Sequence, residues 1–287
     1  PKEDSLHKSL LLLAKLRDGK KQEAESYTQH CEKFFYEIMT GLMSTSNSKS
    51  LSLWSYFYLL KQLKLLNEHD LFKRFKQCCN ESFSTNKGTD LEIIKNVLKK
   101  KREGFFVEVG GHNGISGSYT LLLEEKLDWN GISIEASPKE FEKMKRVRNC
   151  ICEQTALGEF PSKENFYNFT DLNQMNGLKK HYRDDKAYQS FLKKHSPEVI
   201  NVDVIPFNTL ANKHNINHID FFVIDVEGAE FEVVKGINFN NTSVSYFLIE
   251  DPSKELHKYL KNKNYRVIGK TKSDVMFAHK DSPFLKL

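Results

Sequence analysis

Phe106-Val107-Glu108-Val109-Gly110-Gly111-His112-Asn113-Gly114 reads as a buried strand that ends on an acid, turns tightly on glycines and enters a helix. In doubly wound sheets a ligand sits at the carboxyl ends of the strands, near the point where strand order reverses. Glycines at such a turn let the backbone approach a ligand closely. The spacing here is acid-x-Gly-x-x-x-Gly. A dinucleotide fingerprint would instead need glycines at 110, 112 and 115. Position 112 is His and position 115 is Ile, so pyrophosphate lacks its usual turn.

Working outward, short β-rich runs alternate with helical stretches from Gly104 onward. Strands are expected at Phe105–Val109, Gly131–Glu135, Ile151–Ala156, Val202–Ile205, Asp220–Asp225 and Ser245–Ile249. Helices are expected at Thr120–Leu127, Pro138–Arg148, Phe207–His214, Glu230–Lys235 and Ser253–Lys261. Tyr265–Thr271 and Asp274–His279 read as a closing antiparallel hairpin. This order predicts an α/β fold: a Rossmann-like, mostly parallel sheet with helices on both faces and an antiparallel edge hairpin. Residues 1–88 read instead as an α-helical module, from the periodic apolar positions Leu10–Leu16, Phe34–Leu42, Trp54–Leu66 and Leu71–Cys79. Ser44–Ser50 reads as a loop, and Asp90–Lys101 as a helix leading into a second domain, 89–287. The helical module shows no chemical constellation. It suits packing, docking of a partner, or shaping of a cleft.

Composition is that of an ordinary globular chain, with 39% hydrophobic and 28% charged residues among 287. The net charge of +5, from 43 basic and 38 acidic residues, permits an acidic partner without demanding nucleic acid. The sharpest basic cluster, Lys99 to Arg102, reads as the solvated end of a helix. No apolar run reaches the roughly 18–20 residues of a membrane helix, and we expect no signal peptide. The five cysteines, Cys31, Cys78, Cys79, Cys150 and Cys152, form no CxxC pair. Neither a disulfide framework nor a zinc site is implied, and a reducing, cytoplasmic setting is the simpler expectation. The chain begins at Pro1, as a piece of a longer protein would.

Three features carry chemistry. Glu108 at the end of the first strand suits a ligand bearing an ammonium and a sulfonium, as S-adenosylmethionine (SAM) does, better than a phosphate. Glu135 ends the next strand about twenty residues after the glycine turn, where an acid accepts hydrogen bonds from both ribose hydroxyls of an adenosine. The run Asp225-Val226-Glu227-Gly228-Ala229-Glu230 clusters acids where a buried strand meets a helix. Close carboxylates raise each other's pKa, so one of them could act as a base near neutral pH. They could equally ligate a divalent cation such as Mg²⁺. Glu230 also reads as a charge favoured at a helix N-terminus. Glu250 and Asp251 end the following strand. His112 reads as a positioning residue in a ligand loop more readily than as a base.

In their order, these motifs resemble the FkbM family of SAM-dependent methyltransferases, from about Gly104 to His279. The resemblance rests on the glycine turn, on Gly131-Ile132-Ser133-Ile134-Glu135-Ala136-Ser137-Pro138, on Thr155-Ala156-Leu157-Gly158, and above all on the Asp-Val-Glu-Gly-Ala-Glu core. It implies Glu108, Gly110, Gly111, His112, Asn113 and Gly114, with Ser118 beyond them, as the loop at the methionine end of SAM. It implies Glu135 as the ribose acid with Ala136 and Ser137 beside it, and Thr155 and Ala156 near the adenine. Asp225 would also face the cofactor. The chain departs from the family at Gly111-His112, where Ala-Asn is common, and at Ala136-Ser137, where Pro-Asn is frequent. The family implies O-methylation of hydroxyls on sugars, glycans and natural products, although some relatives are not catalysts. Asp225, Glu227 and Glu250 are the candidate catalytic acids, or else metal ligands. Asn168, Asn173, Gln174, Asn176, His181, Tyr182 and Arg183, in the irregular stretch 162–197, would suit a sugar. The rival readings are a non-catalytic interaction module and an RNA methyltransferase.

Overall fold

The computed structural model describes residues 2–39, 46–77, 84–86, 88–182, 185–271 and 273–282. Helices α1 (Lys2–Arg17), α2 (Lys21–Met39), α3 (Ser46–Leu65), α4 (His69–Lys76) and α5 (Thr89–Asn96) come first. The sheet region follows as β1 (Phe105–Val109), α6 (Leu121–Leu127), β2 (Asn130–Ile134), α7 (Pro138–Val147), β3 (Ile151–Glu153) and β4 (Ala156–Leu157). Then come β5 (Ser162–Asn168), β6 (Gly177–Leu178), α8 (Lys186–His195), β7 (Glu198–Ile205), α9 (Phe207–Lys213) and β8 (His218–Ile224). The chain closes with α10 (Glu230–Lys235), β9 (Ser243–Glu250), α11 (Lys254–Asn262), β10 (Tyr265–Lys270) and β11 (Asp274–His279).

A seven-stranded sheet has the order β10-β11-β9-β8-β1-β2-β3. Every neighbouring pair from β9 to β3 is parallel, and β11 alone runs backwards between β9 and β10. The chain leaves β1 in one direction through β2 and β3, then returns to β8 on the other side. The order therefore reverses at β1 and β8, and a crevice opens beyond their carboxyl ends.

Alternation along each strand sends successive residues to opposite faces. Phe106, Phe221, Val223, Tyr246 and Leu248 face one core, and Val107, Val109, Phe222, Ile224 and Phe247 face the other. Helices α9, α10 and α11 cover the second face through Phe207, Leu210, Val233, Leu256 and Leu260. The first face is covered by α6 together with the N-terminal helices: Leu12, Phe35, Phe57 and Leu60 belong to the same contiguous core as Phe106 and Tyr246. Helix α3 is also tied to α7. Lys61 Nζ donates to the carbonyls of Lys145, at 2.8 Å, and Arg148, and Trp54 Nε1 to that of Lys143 at 3.4 Å.

Four expectations change in detail. The Ile151–Ala156 strand is two: β3 pairs with β2, whereas β4 pairs with β7 in a second sheet of order β4-β7-β5-β6. The irregular stretch 162–197 contains β5, β6 and α8. Alternation is weak there because the first half of β5, Ser162–Asn165, is polar throughout and mostly exposed. Lys99–Arg102 is no helix end. Helix α5 stops at Asn96, Lys99 and Lys100 take left-handed backbone, and Lys101 reaches back to the buried Asp220 at 2.5 Å. The expected loop at Ser44–Ser50 is helical from Ser46, and residues 40–45 lie outside the described residues, as do Cys78 and Cys79. No helix among the described residues is long and apolar enough to cross a membrane.

Candidate active site

The glycine turn is demanded first by the protein itself. Gly110 has φ +87°, and a Cβ there would stand 1.8 Å from the carbonyl oxygen of Asp225. This close approach joins the ends of β1 and β8, where Asp225 N–H donates to Val109 O at 3.1 Å. Gly114, φ +83°, meets α7 and Arg148 in the same way. The Asn113 side-chain oxygen accepts from the backbone of Ile115 and Ser116, which closes the turn.

Glu108 lies beneath this turn, not in the crevice. Its carboxylate accepts from Ser118 Oγ at 2.9 Å, Tyr119 N–H at 2.9 Å, Thr120 Oγ1 at 2.8 Å and Arg148 Nη1 at 2.9 Å. Arg148 is fully buried and also donates to Glu124. Glu108 and Ser118, both expected at the methionine end of the cofactor, thus spend their polar atoms on each other and on Arg148. They support the loop from below.

The crevice is lined by Val109 and Gly110 of β1, Ile134, Glu135 and Ala136 after β2, Thr155–Leu157, Asn176–Leu178, and Asp225, Val226 and Ala229 after β8. Glu135 accepts the backbone N–H of His112 at 2.8 Å on one oxygen and that of Ser137 at 2.7 Å on the other. Burial nevertheless pushes its carboxyl up to about 7. Each oxygen retains a lone pair, so a vicinal diol donating here would stabilise the charged form. The residues present therefore fit the ribose of an adenosyl group. Beside it, Ala136 has no polar side-chain atom. The Ser137 hydroxyl donates to Asn168 at 2.8 Å, and the Thr155 hydroxyl to the Asp203 carbonyl at 2.9 Å. The His112 ring turns away toward Glu140, with Nε2 3.5 Å from its carboxylate.

At the other end of the crevice the acids converge. Carboxylate oxygens of Asp225, Glu227 and Glu250 lie within 4.8 Å of one another. Desolvation by the surrounding protein, a hydrogen bond with Glu250 and the nearby charges of Glu227 and Asp274 hold Asp225 well above the carboxylate range. Burial, with Glu250 and Glu230 as neighbours, pushes Glu227 up to about 7. Glu227 sits at φ +55° next to Gly228 at +106°, so the turn itself aims it. Glu230 is different. Its carboxylate accepts from Gly228 N–H at 2.9 Å and closes the turn before α10, the helix-terminus role.

Three contributors were not anticipated. Because β11 is reversed, its first residue, Asp274, lies opposite Glu250 in register and joins the acidic rim. Tyr119 donates to Asp274 at 2.7 Å, and Thr271 donates to the same oxygen at 2.6 Å. Burial and that carboxylate raise the Tyr119 phenol far above its ordinary value, so it stays protonated. The linker before α5 reaches the same corner, where Asn86 Nδ2 donates to Gly117 O at 3.0 Å and Thr85 Oγ1 to Ser118 O at 2.6 Å. The only sequence signal was position, a Tyr-Thr pair just past the glycine turn and an acid opening a terminal strand.

The stretch read as a polar insertion lies over the acidic turn. A Cβ on Gly228 would touch His181 at 3.0 Å, and one on Gly177 would touch Tyr182 at 2.6 Å and Glu227 at 3.0 Å. Burial lowers the pKa of His181 despite Glu232 beside it. Asn176 lines the crevice, and Gln174 is exposed. The Asn173 side chain and Arg183 lie outside what is described.

The methyltransferase FkbM domain family matches the chain over residues 108–267. Among solved structures, methyltransferase FkbM from Methylobacillus flagellatus is similar with a TM-score of 0.43 and 12% identity, over 85% of this chain. The chain spans 58% of that structure's length. A protein described as a class I S-adenosylmethionine-dependent methyltransferase from Listeria monocytogenes gives a TM-score of 0.35 at 10% identity, over 98% of this chain and 89% of its own. No curated protein matches the chain.

Proposed function

The chain belongs to the FkbM methyltransferase family, and from that premise we propose that it transfers the methyl group of SAM to a hydroxyl, that of a sugar or glycan. The observation that carries this reading is one crevice with two unlike ends. Glu135 offers a diol-accepting carboxylate at one end; Asp225 lines the other, and beside it Glu227, pushed up to about 7, offers a proton acceptor. Bound SAM supplies an electrophilic methyl on its sulfonium. What this chain must add is alignment and a place for the hydroxyl proton. Glu135 holds the ribose, and the backbone of Gly110 to Gly114 shapes the methionine end. Glu227 takes the acceptor proton, with Asp225 and Glu250 beside it. Tyr119, held by Asp274, closes the side wall. The polar and aromatic cover, His181, Tyr182 and Asn176, suits a sugar ring. We further propose that the helical segment 1–88 shapes the cleft through Thr85 and Asn86.

The test is calorimetry with SAM, followed by a screen of sugar and glycan acceptors with labelled SAM, run with Mg²⁺ and with a chelator. Binding, and label on a hydroxyl in both conditions, is the expected result. Absence of SAM binding would sink the enzyme reading in favour of an interaction module. Transfer to RNA, with affinity falling steeply with salt, would replace the acceptor class. Loss of transfer in chelator would assign deprotonation to a cation held by Asp225, Glu227 and Glu250.

A further inference from the structure

The loop that shapes the methionine end of the crevice, residues 110–118, is held at its two ends by different parts of the chain. Its first end belongs to the sheet: the N–H groups of Gly110 and Gly111 both donate to Ile134 O, at 3.0 and 2.9 Å. Its middle turns on Asn113 and is pinned by Ile115, buried in the core. Its last end has Gly117, with φ +77° and open space where a Cβ would stand, so no side chain fixes the backbone there. Three hydrogen bonds do, and all involve the linker ahead of α5. Gly117 N–H donates to Thr85 O at 3.2 Å, Asn86 Nδ2 donates to Gly117 O at 3.0 Å, and Thr85 Oγ1 lies 2.6 Å from Ser118 O. The linker itself is folded round a carboxylate. Asp90, in the first turn of α5, is buried and accepts the Ser84 hydroxyl and the N–H groups of Thr85, at 2.8 Å, and Leu91, at 3.0 Å. Ser84 Oγ in turn accepts the N–H groups of Asn86, at 3.2 Å, and Gly88, at 2.6 Å. Thr85 Oγ1 also stands 2.9 Å from Asp90, so its single proton is shared between that carboxylate and Ser118 O.

We propose that Thr85 and Asn86 are positioning residues for the cofactor: from a turn built on Asp90, they hold the loop 110–118 in its SAM-binding shape before SAM arrives. The proposal rests on the SAM reading of the crevice and adds a source of cofactor affinity that lies ahead of the sheet. Neither residue lines the crevice, so their effect on SAM passes through the loop. That loop serves both ends of the cofactor. In its middle, His112 N–H donates to Glu135, the ribose acid, at 2.8 Å. Directly after it, Tyr119 donates to Asp274 on the acidic rim at 2.7 Å. A loop released at its last end samples other shapes. A protein that holds the competent shape in only about a tenth of its molecules binds about tenfold more weakly. Ordering the loop in advance removes that cost from binding.

The test uses the full chain carrying Thr85→Val together with Asn86→Ala. It is compared with the parent, with Thr85→Ser, which keeps the hydroxyl, and with Ser253→Ala, which removes a helix cap remote from the loop. Calorimetry should give a SAM Kd raised about tenfold in the double variant and unchanged in Thr85→Ser and Ser253→Ala. Asn86→Ala alone removes one half-buried side chain and keeps the fold; it should raise Kd about threefold, the worth of one ordinary hydrogen bond. Hydrogen exchange of the ligand-free double variant should quicken by about tenfold at residues 114–119 and keep the parent rate in β1. SAM should slow it again. A double variant that binds SAM as tightly as the parent overturns the proposal. So does faster exchange spread evenly through β1 and α6, which marks general loosening. A parent that binds no SAM sinks the crevice reading and this proposal together, whereas a parent that binds SAM beside an unaffected variant sinks this proposal alone.

Discussion

Glu227 and Glu135 are both pushed to about 7 by burial, and the proposed roles give them distinct pH signatures. Glu227 must be ionised to take a proton. kcat/KM for methyl transfer should therefore fall as pH drops through about 7, and Glu227→Gln should lower kcat by roughly 10²–10⁴ and remove that limb. A full-rate Glu227→Gln enzyme would assign the proton elsewhere. Glu135 must be ionised to accept two ribose hydroxyls. SAM affinity measured by calorimetry should likewise weaken below pH 7, with proton release on binding. Glu135→Gln should weaken SAM binding by about ten- to a hundredfold, the worth of hydrogen bonds to a charged group, and flatten its pH dependence. The positions of these two acids were legible in the sequence because each follows the carboxyl end of a parallel strand. Glu108 was legible as a position but not as a role. Its partner Arg148 lies forty residues away, and nothing local to the glycine turn reveals that a buried guanidinium will claim the carboxylate.

Periodicity revealed the elements whose two faces differ, and it failed where the faces are alike. The parallel strands β1 and β8 could be read from the apolar runs Phe105–Val107 and Phe221–Ile224, and α10 because the acids of its first turn precede Val233 and Val234. The run Ile151–Ala156 looked like one strand because alternation records only which way a side chain points, not which neighbour the backbone bonds. Its two halves pair with β2 and β7, in different sheets. Strand β5 was missed because its first half, Ser162–Asn165, is wholly polar and carries no apolar face. Local turn chemistry was more informative. At Gly110 both the positive φ and the Asp225 carbonyl, 1.8 Å from where a Cβ would stand, forbid a side chain. Gly110→Ala should cost more than about 3 kcal/mol, beyond an ordinary point substitution, or prevent folding. Ser253 accepts from Leu256 N–H at 3.1 Å as the N-cap of α11. Ser253→Ala should cost about 1 kcal/mol and lower Tm by roughly 2–4 °C without changing methyl transfer. A larger loss would mean that α11 contributes to the site beyond its packing.

At the scale of the whole chain, two arrangements depend on residues far apart in sequence, so no local pattern shows them. The reversal of β11 brings Asp274 against Glu250 and lets it hold Tyr119; a fully parallel sheet would send that residue to the opposite end. The N-terminal helices bury their apolar stripes on the same sheet face as α6. Their amphipathic pattern required a partner surface but could not identify it as Phe106, Tyr246 and Leu248. Helices and sheet that share one contiguous core should lose structure together. Phe57 lies in that core, almost fully buried. Phe57→Ala should cost about 3–5 kcal/mol and move a single unfolding transition, followed by far-UV circular dichroism for the helices and, in a Trp54→Phe background, by fluorescence of Trp129, which is buried in the same core. If the substitution instead lowered a helical transition and left the Trp129 signal in place, the helices would be an independently stable layer. The contacts of Thr85 and Asn86 with the glycine-turn loop, and those of Lys61 and Trp54 with α7, would then couple that layer to the sheet.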